Sequence, residues 1–212
     1  MNDIRYSFLV TFAEMSRPSD ALFRILEHLS GAVSECDEIL KRAVADGNED
    51  YYLMIGEEES DVVENLVGTA FVVTQTAITA VVSAVKRIHV QLTSDKVTFP
   101  LQCGKENVLR LGSPLLGNTG YSRIQVIDAL ANYFKHQDEW TVPWSKLNKN
   151  QRPTSLIIES VGGKSGSTGN LRTGLDALGI DTDFLRILHG DVQAWQRAVI
   201  GTYKAELVRA GL

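Results

Sequence analysis

Apolar residues recur at helical spacing in several parts of the chain, and these periodic stretches predict the long elements of the fold. The first stretch follows Ser16 to Asp20, where cap-forming residues beside Pro18 are typical of a helix start, and it ends at the turn signal around Gly47. Its apolar positions are Leu22, Ile25, Leu26, Leu29, Val33, Cys36, Leu40 and Ala43. The pattern predicts one long helix.

A second long helix is predicted from about Ser60 to Leu92, antiparallel to the first. Between Asn65 and Val85 it contains no charged residue, and that length could cross a bilayer. However, polar side chains are interspersed through the stretch, at Asn65, Thr69, Thr74, Gln75, Thr76, Thr79 and Ser83. This polar content favours a core helix surrounded by other helices, with no membrane as partner.

Weaker patterns lie on either side of these helices. Residues 4–12 alternate loosely and are rich in aromatic and β-branched types, which predicts a short strand, with a helical turn as the alternative. A shorter helical piece is predicted over Glu49 to Ile55. From Thr93 to Gly120 the chain carries Pro and Gly without helical period, which indicates a loop with at most one short strand at Val97 to Leu101.

The last third of the chain is also mainly helical. Ser122 is predicted to cap a third helix that ends near Glu139. The β-like run SLIIES then leads into a glycine-rich segment that is not a phosphate loop, because Ile158 occupies a required glycine position. A short helix from Asn170 is expected to close at Gly179. A final helix, from about Asp191 to Arg209, has an apolar stripe at Val192, Trp195, Val199, Tyr203 and Leu207.

These elements predict an all-α fold, an antiparallel helical bundle with two long helices, shorter C-terminal helices and at most minor β structure. Residues 1–212 are expected to form a single domain. A flexible loop is predicted over residues 160–169, before the C-terminal helices at residues 170–212.

Composition limits the function. The chain of 212 residues is 44% hydrophobic and 22% charged, and its net charge of −5 excludes a general basic field for nucleic acid, so RNA contact needs a local cationic patch. Cys36 and Cys103 match no metal or redox spacing, and neither a metal nor a cofactor is predicted. The N-terminal residues lack the apolar core of a secretory signal, so a cytoplasmic location is expected.

The segment ANYFKHQDEW, residues 131–140, concentrates the chemically useful side chains of the third helix. One predicted face of this helix is apolar, with Ile124, Ile127, Leu130, Ala131 and Phe134. The opposite face is predicted to be a polar stripe of Gln125, Asp128, Asn132, Lys135, His136 and Glu139. Asn132, Lys135 and His136 are predicted to face outward, and Lys135 and Glu139 are spaced for an ion pair. Such a stripe is typical of any surface helix, and it also contains the groups of an active site.

The third helix, with ANYFKH followed by DEW, resembles the signature helix of the HEPN superfamily (higher eukaryotes and prokaryotes nucleotide-binding). The resemblance implies an all-α domain, often dimeric, with two long antiparallel helices, and many members are metal-independent endoribonucleases. Their motif is an arginine, usually followed by a polar residue, and a histidine a few residues later. Asn132 matches the polar position and His136 the histidine, while Ala131 stands where the arginine is expected.

Two functions are consistent with this stripe and this resemblance. In the first, the protein binds or cleaves RNA as a homodimer, in a toxin–antitoxin or antiphage system. His136, Asn132 and Lys135 would form the site, with Asp128 and Glu139 as orienting groups. In the second, it is a non-catalytic subunit that binds a partner protein through an exposed apolar face. The acidic net charge and the absence of the motif arginine favour the second function.

Overall fold

The computed structural model describes residues 2–15, 20–47 and 49–212, and their fold is all-α, as predicted. The helices in chain order are α1 (Asn2–Met15), α2 (Asp20–Asp46), α3 (Glu49–Ser94), α4 (Lys105–Arg110), α5 (Arg123–His136), α6 (Arg152–Ser160), α7 (Asn170–Ala177) and α8 (Ile187–Arg209). Short 3₁₀ turns lie at Gln137–Glu139, Trp144–Lys146 and Thr182–Phe184. The predicted helical bundle is therefore confirmed.

Helix α3 is the axis of the bundle. It has 46 residues, which is about 69 Å at 1.5 Å per residue, and it merges the predicted short helix at Glu49 with the long one. It contacts α1, α2, α4, α5, α7 and α8. Helices α2 and α3 form the predicted antiparallel pair, and Gly47 ends α2 with a φ of 74°, which suits a glycine. The core of α3 includes Val67, Phe71, Ile78 and Val85, all 0–1% exposed.

By length and apolar composition alone, α3 could cross a membrane. Half of its most apolar 18-residue segment is buried inside the protein. The core helix of a helical bundle can be equally long and apolar. The polar side chains of this stretch also find partners within the protein. Thr74 donates its hydroxyl to the carbonyl of Ala70, and buried Gln75 donates to Asp128 of α5.

Residues 4–12 belong to helix α1, so the predicted strand is wrong and the helical alternative is correct. Phe8, Phe12 and Met15 are buried, and their separations of four and three residues place them on one face of a helix. Residues of this type suit a strand by composition, but packing against α3 and α8 decides in favour of a helix. The predicted start signal of the next helix lies mostly outside the described residues, and α2 begins at Asp20.

Residues 97–101 form a loop, as predicted, and the optional short strand at Val97 to Leu101 does not form. The β pairing described by the structure is an isolated bridge between Leu115 and Ser122. Phe99 packs its ring against His89 and Tyr203, so the apolar residues of this stretch anchor a loop. Helix α4, in the region expected to be loop, was not predicted.

The C-terminal elements follow the prediction except at SLIIES, which belongs to helix α6 and not to a β-like run. Ser122 caps α5 as predicted, in a reciprocal capping box with Gln125. Helix α7 closes at Gly179, which has a φ of 66°. The predicted stripe of α8 is buried throughout, at Val192, Trp195, Val199, Tyr203 and Leu207.

Buried Asn170 organises the segment between α6 and α7, which was predicted to be flexible. Its Oδ1 accepts from the backbone N–H of Lys164, and its Nδ2 donates to the carbonyls of Lys164 and Ser167. The same Nδ2 donates to the hydroxyl of Tyr133 at 3.0 Å. One side chain therefore ties this glycine-rich segment to helix α5.

Candidate functional site

Helix α5 carries every residue of the predicted site except Glu139, which lies in the 3₁₀ turn that follows. The helix packs mainly against α3 and α6. Its predicted apolar face is confirmed, since Ile127, Leu130 and Ala131 are 0% exposed. Phe134 is partly buried, and its ring lies against α3 where Gly68 leaves room for it.

The polar stripe of α5 does not form one exposed face. Gln125 and Asp128 are only 4% and 6% exposed, whereas Lys135 and His136 are exposed. Of the three residues predicted to face outward, Lys135 and His136 are exposed and Asn132 is half-buried. Helices α3 and α4 pack over the first half of the helix, and their polar side chains reach the carboxylate of Asp128.

A buried hydrogen-bond network joins α5 to α3 through Gln75, which is 7% exposed. Its Nε2 donates to Oδ1 of Asp128 at 2.8 Å, to Oδ1 of Asn132 at 3.0 Å and to the Asp128 carbonyl at 3.1 Å. Nδ2 of Asn132 in turn donates to Oδ2 of Asp128 at 3.3 Å. Because such bonds are shielded from water, they fix the relative position of the two helices.

Two lysines extend this network to the surface. Nζ of Lys135 donates to Oε1 of Gln75 at 2.7 Å, and Nζ of Lys105 lies 2.7 Å from Oδ2 of Asp128. Lys105 is the first residue of α4, and its side chain is 42% exposed, against 9% for Asp128. Two ammonium groups and one carboxylate make this cluster locally positive, although the chain carries a net charge of −5.

His136 and Glu139 form a separate pair at the exposed end of α5. Nδ1 of His136 lies 2.9 Å from Oε1 of Glu139, and the two side chains are 49% and 62% exposed. In the part of the chain that the structure describes, no hydrogen bond links this pair to Gln75. In the described residues, Lys135 does not form the predicted ion pair with Glu139. Lys135 donates to Gln75, and Glu139 contacts His136.

The predicted site residues thus fall into two groups on one helix. Asp128, Asn132 and Lys135 meet in the network around Gln75, and His136 pairs with Glu139 about one turn further along. The first group is held by neighbouring helices, whereas the second faces solvent. In the second group, the imidazole of His136 is half-exposed and can reach a ligand.

An aromatic cluster anchors the chain where α5 ends. The rings of Tyr133, Trp140 and Trp144 pack edge to face, with centroids 5.3, 5.9 and 5.9 Å apart. Burial raises the pKa of the Tyr133 phenol, which accepts a hydrogen bond from Asn170. The cluster brackets the 3₁₀ turn and so positions Glu139 beside α5.

The remaining histidines lie away from this site. His28 is exposed on α2, and Nε2 of His89 lies 3.0 Å from the Tyr203 hydroxyl. Burial lowers the pKa of both His89 and His189. Burial raises the pKa of the Cys36 thiol to about 11, which makes it a poor nucleophile. Within residues 2–15, 20–47 and 49–212, no group of His, Cys, Asp and Glu could hold a metal ion.

Sequence reasoning missed Gln75 and Lys105 as parts of the site. Gln75 had a signal, because a lone amide within an uncharged helical stretch needs a partner when that helix is buried. Lys105 had none, since it lies in a stretch without helical period, and only the tertiary fold brings it to Asp128.

Comparisons with protein-family models, curated proteins and solved structures give no match for this chain.

Proposed function

We propose that this protein is a HEPN-like helical protein that binds RNA and cleaves it at the exposed end of α5. The pair of His136 and Glu139 carries the proposal. Their 2.9 Å contact occupies Nδ1 of the imidazole and leaves Nε2 open in a half-exposed side chain. An imidazole oriented by a carboxylate is a common form of general base.

The proposed reaction needs only groups of the protein and the RNA itself. Neutral His136 accepts the proton of a ribose 2′-hydroxyl through Nε2, while its Nδ1–H donates to Glu139. The 2′-oxygen attacks the adjacent phosphorus, the bond to the 5′-oxygen breaks, and that oxygen takes a proton from water or from a second imidazole. The products are a 2′,3′-cyclic phosphate and a 5′-hydroxyl.

A homodimer is part of this proposal. The HEPN resemblance implies two chains, and two exposed α5 ends brought together would supply two His136 rings to one phosphodiester. One ring would act as the base and the other as the acid that protonates the leaving 5′-oxygen. A cytoplasmic toxin–antitoxin or antiphage system is the setting proposed for this activity.

The test is RNA cleavage by the purified protein and its His136→Ala variant. We expect the substitution to lower the cleavage rate by about a hundredfold or more, which is the usual contribution of a positioned base. His28→Ala is the matched control, because His28 is an exposed histidine on α2. Circular dichroism should show the same helix content in all three proteins. The proposal fails if the unaltered protein neither binds nor cleaves RNA.

A second function, a non-catalytic subunit of an assembly, is supported by a different surface. Tyr6, Leu9, Val90 and Val208 are 68%, 63%, 70% and 72% exposed. Tyr6 and Val90 line one groove beside α1, and Leu9 and Val208 line another. Grouped apolar side chains of this size are typical of contact surfaces.

The two functions make opposite predictions for two variants. If assembly is the function, Leu9→Ser lowers the mass measured by light scattering on a sizing column, and His136→Ala changes nothing that can be measured. If RNA cleavage is the function, His136→Ala removes the activity.

A further inference from the structure

The position at which the HEPN resemblance implies a cation is buried in this protein. Ala131 is 0% exposed and packs in the core, so no side chain at that position faces a ligand. Cleavage of a phosphodiester builds negative charge on the phosphate, and a positive group near it lowers that barrier. A cation that stabilises the phosphate near His136 must therefore come from a position other than Ala131.

We infer that Lys105 of α4 and Lys135 of α5 together form a binding site for the phosphate groups of an RNA backbone. The inference rests on the proposed function, because it takes RNA as the ligand. It assigns a role to Lys105, which sequence reasoning did not connect with α5.

The two ammonium groups are positioned by the same buried network. Lys105 bonds Oδ2 of Asp128, Oδ1 of Asp128 accepts from Gln75, and Oε1 of Gln75 accepts from Lys135, with distances of 2.7, 2.8 and 2.7 Å. Since Gln75 and Asp128 are buried, the bonds they make hold the two flexible lysine side chains in place. Holding these groups before binding reduces the entropy that a ligand must remove.

Both lysines keep donors for an anion. An ammonium group has three N–H donors. Among the described residues, Lys105 contacts one acceptor, Asp128, and Lys135 contacts one acceptor, Gln75. Both side chains are exposed, so their other donors are open to solvent. An ammonium group with open donors can bind a non-bridging oxygen of a phosphodiester.

The charge of the cluster also fits a phosphodiester. Lys135 is bonded to an uncharged amide, so its positive charge is not neutralised by that contact. Asp128 neutralises one charge, and the cluster of two ammonium groups and one carboxylate is left with a net charge of +1. A phosphodiester carries one negative charge, which this site can balance.

The competing explanation is that Lys105 only neutralises buried Asp128. Under that explanation, its loss lowers the free energy of unfolding without affecting RNA. Under our inference, its loss weakens RNA binding even when the protein remains folded. Lys41 provides a matched control, because it also pairs with a carboxylate, that of Glu38, but lies on α2.

The test measures binding of a fluorescein-labelled single-stranded RNA by anisotropy at several salt concentrations. The variants are Lys105→Gln, Lys135→Gln, Lys105→Arg and the control Lys41→Gln. We expect each of the first two to weaken binding several-fold and to reduce the slope of log K against log salt by about 0.7, the value for one phosphate contact in a single strand. Lys105→Arg should retain the slope, and Lys41→Gln should behave as the unaltered protein.

A further variant covers the case in which Lys105→Gln does not fold. The double change Lys105→Gln with Asp128→Asn removes both charges, so no buried carboxylate is left unpaired. It should fold and show the same reduced slope. If RNA binds with an unchanged slope to the folded lysine variants, the inference is wrong and the proposed function stands. If the unaltered protein binds no RNA, both are wrong.

Discussion

The two halves of helix α5 carry similar polar side chains and have opposite environments. In the first half, the side chain of Asp128 is 9% exposed and is bonded by Gln75, Asn132 and Lys105. At the C-terminal end of the helix, His136 and Glu139 of the following 3₁₀ turn are 49% and 62% exposed and bond each other. Helical spacing alone puts both groups on one stripe, and the elements packed over the stripe decide the difference.

This difference in burial suggests different roles for the two groups, folding for the buried one and ligand contact for the exposed one. Groups in the first half are held by bonds shielded from water, so their removal should be costly for folding. The charges of His136 and Glu139 are screened by solvent. Their removal should therefore change the free energy of unfolding little and should affect only the interaction with a ligand. Substitutions matched between the two halves can test this separation.

The largest expected effect is at Asp128. Asp128→Ala removes the acceptor of Gln75 and the counter-ion of Lys105, and should lower the free energy of unfolding by about 3 kcal/mol. Asp128→Asn keeps an oxygen for Gln75 and should cost about 1 kcal/mol. Urea unfolding measures both. Equal effects of the two substitutions would show that the hydrogen bonds of this carboxylate are not important for stability.

The next effect concerns two contacts on the apolar side of the same helix. A Cβ at Gly174 would lie 2.5 Å from Leu130, and one at Gly68 would lie 2.2 Å from the ring of Phe134. Leu130 is 0% exposed and has no room to move, whereas Phe134 is only partly buried and can shift. We therefore expect Gly174→Ala to cost about 2 kcal/mol and Gly68→Ala about 1 kcal/mol in thermal or urea unfolding. The reverse order would contradict the idea that α5 is packed more loosely toward its exposed end.

A smaller change in stability should appear with pH, because His89 is partly buried whereas His136 is exposed. Burial lowers the pKa of His89 below its ordinary 6.5, and the same holds for His189. The unfolded chain therefore binds protons that the folded state resists, and stability should fall as pH drops through 6.5. Burial raises the carboxyl pKa of Glu64, which acts in the opposite direction at more acidic pH.

The contribution of His89 to this pH effect can be measured with one substitution. His89→Gln can keep a hydrogen bond to Tyr203 and cannot titrate, so it should reduce the dependence of the melting temperature on pH between 7.5 and 5.5, roughly the range around an ordinary histidine pKa. An unchanged dependence in His89→Gln would show that the burial of His89 is not a cause of the effect.

The sequence allowed the bundle to be predicted better than the site. The apolar stripe of α8 and the cap at Ser122 are local signals, and both are confirmed. The burial of Asp128 depends on Gln75 and Lys105, which lie 53 and 23 positions away in the chain. No local periodicity reports such a contact. The segment at residues 4–12 was misassigned because composition suited a strand while contacts with α3 and α8 favoured a helix.

The smallest expected effect on stability is at Glu139, and it tests the comparison most directly. Glu139→Gln should change the free energy of unfolding by less than about 0.5 kcal/mol, because its pair with His136 is exposed to solvent. If His136 is the base, the same substitution should lower RNA cleavage about tenfold, since a neutral amide orients and polarises the imidazole less well than a carboxylate. Asp138→Asn is the matched control, because Asp138 is an exposed carboxylate in the same 3₁₀ turn. A large loss of stability in Glu139→Gln, comparable with that of Asp128→Ala, would mean that both halves of α5 serve folding and that the separation does not exist.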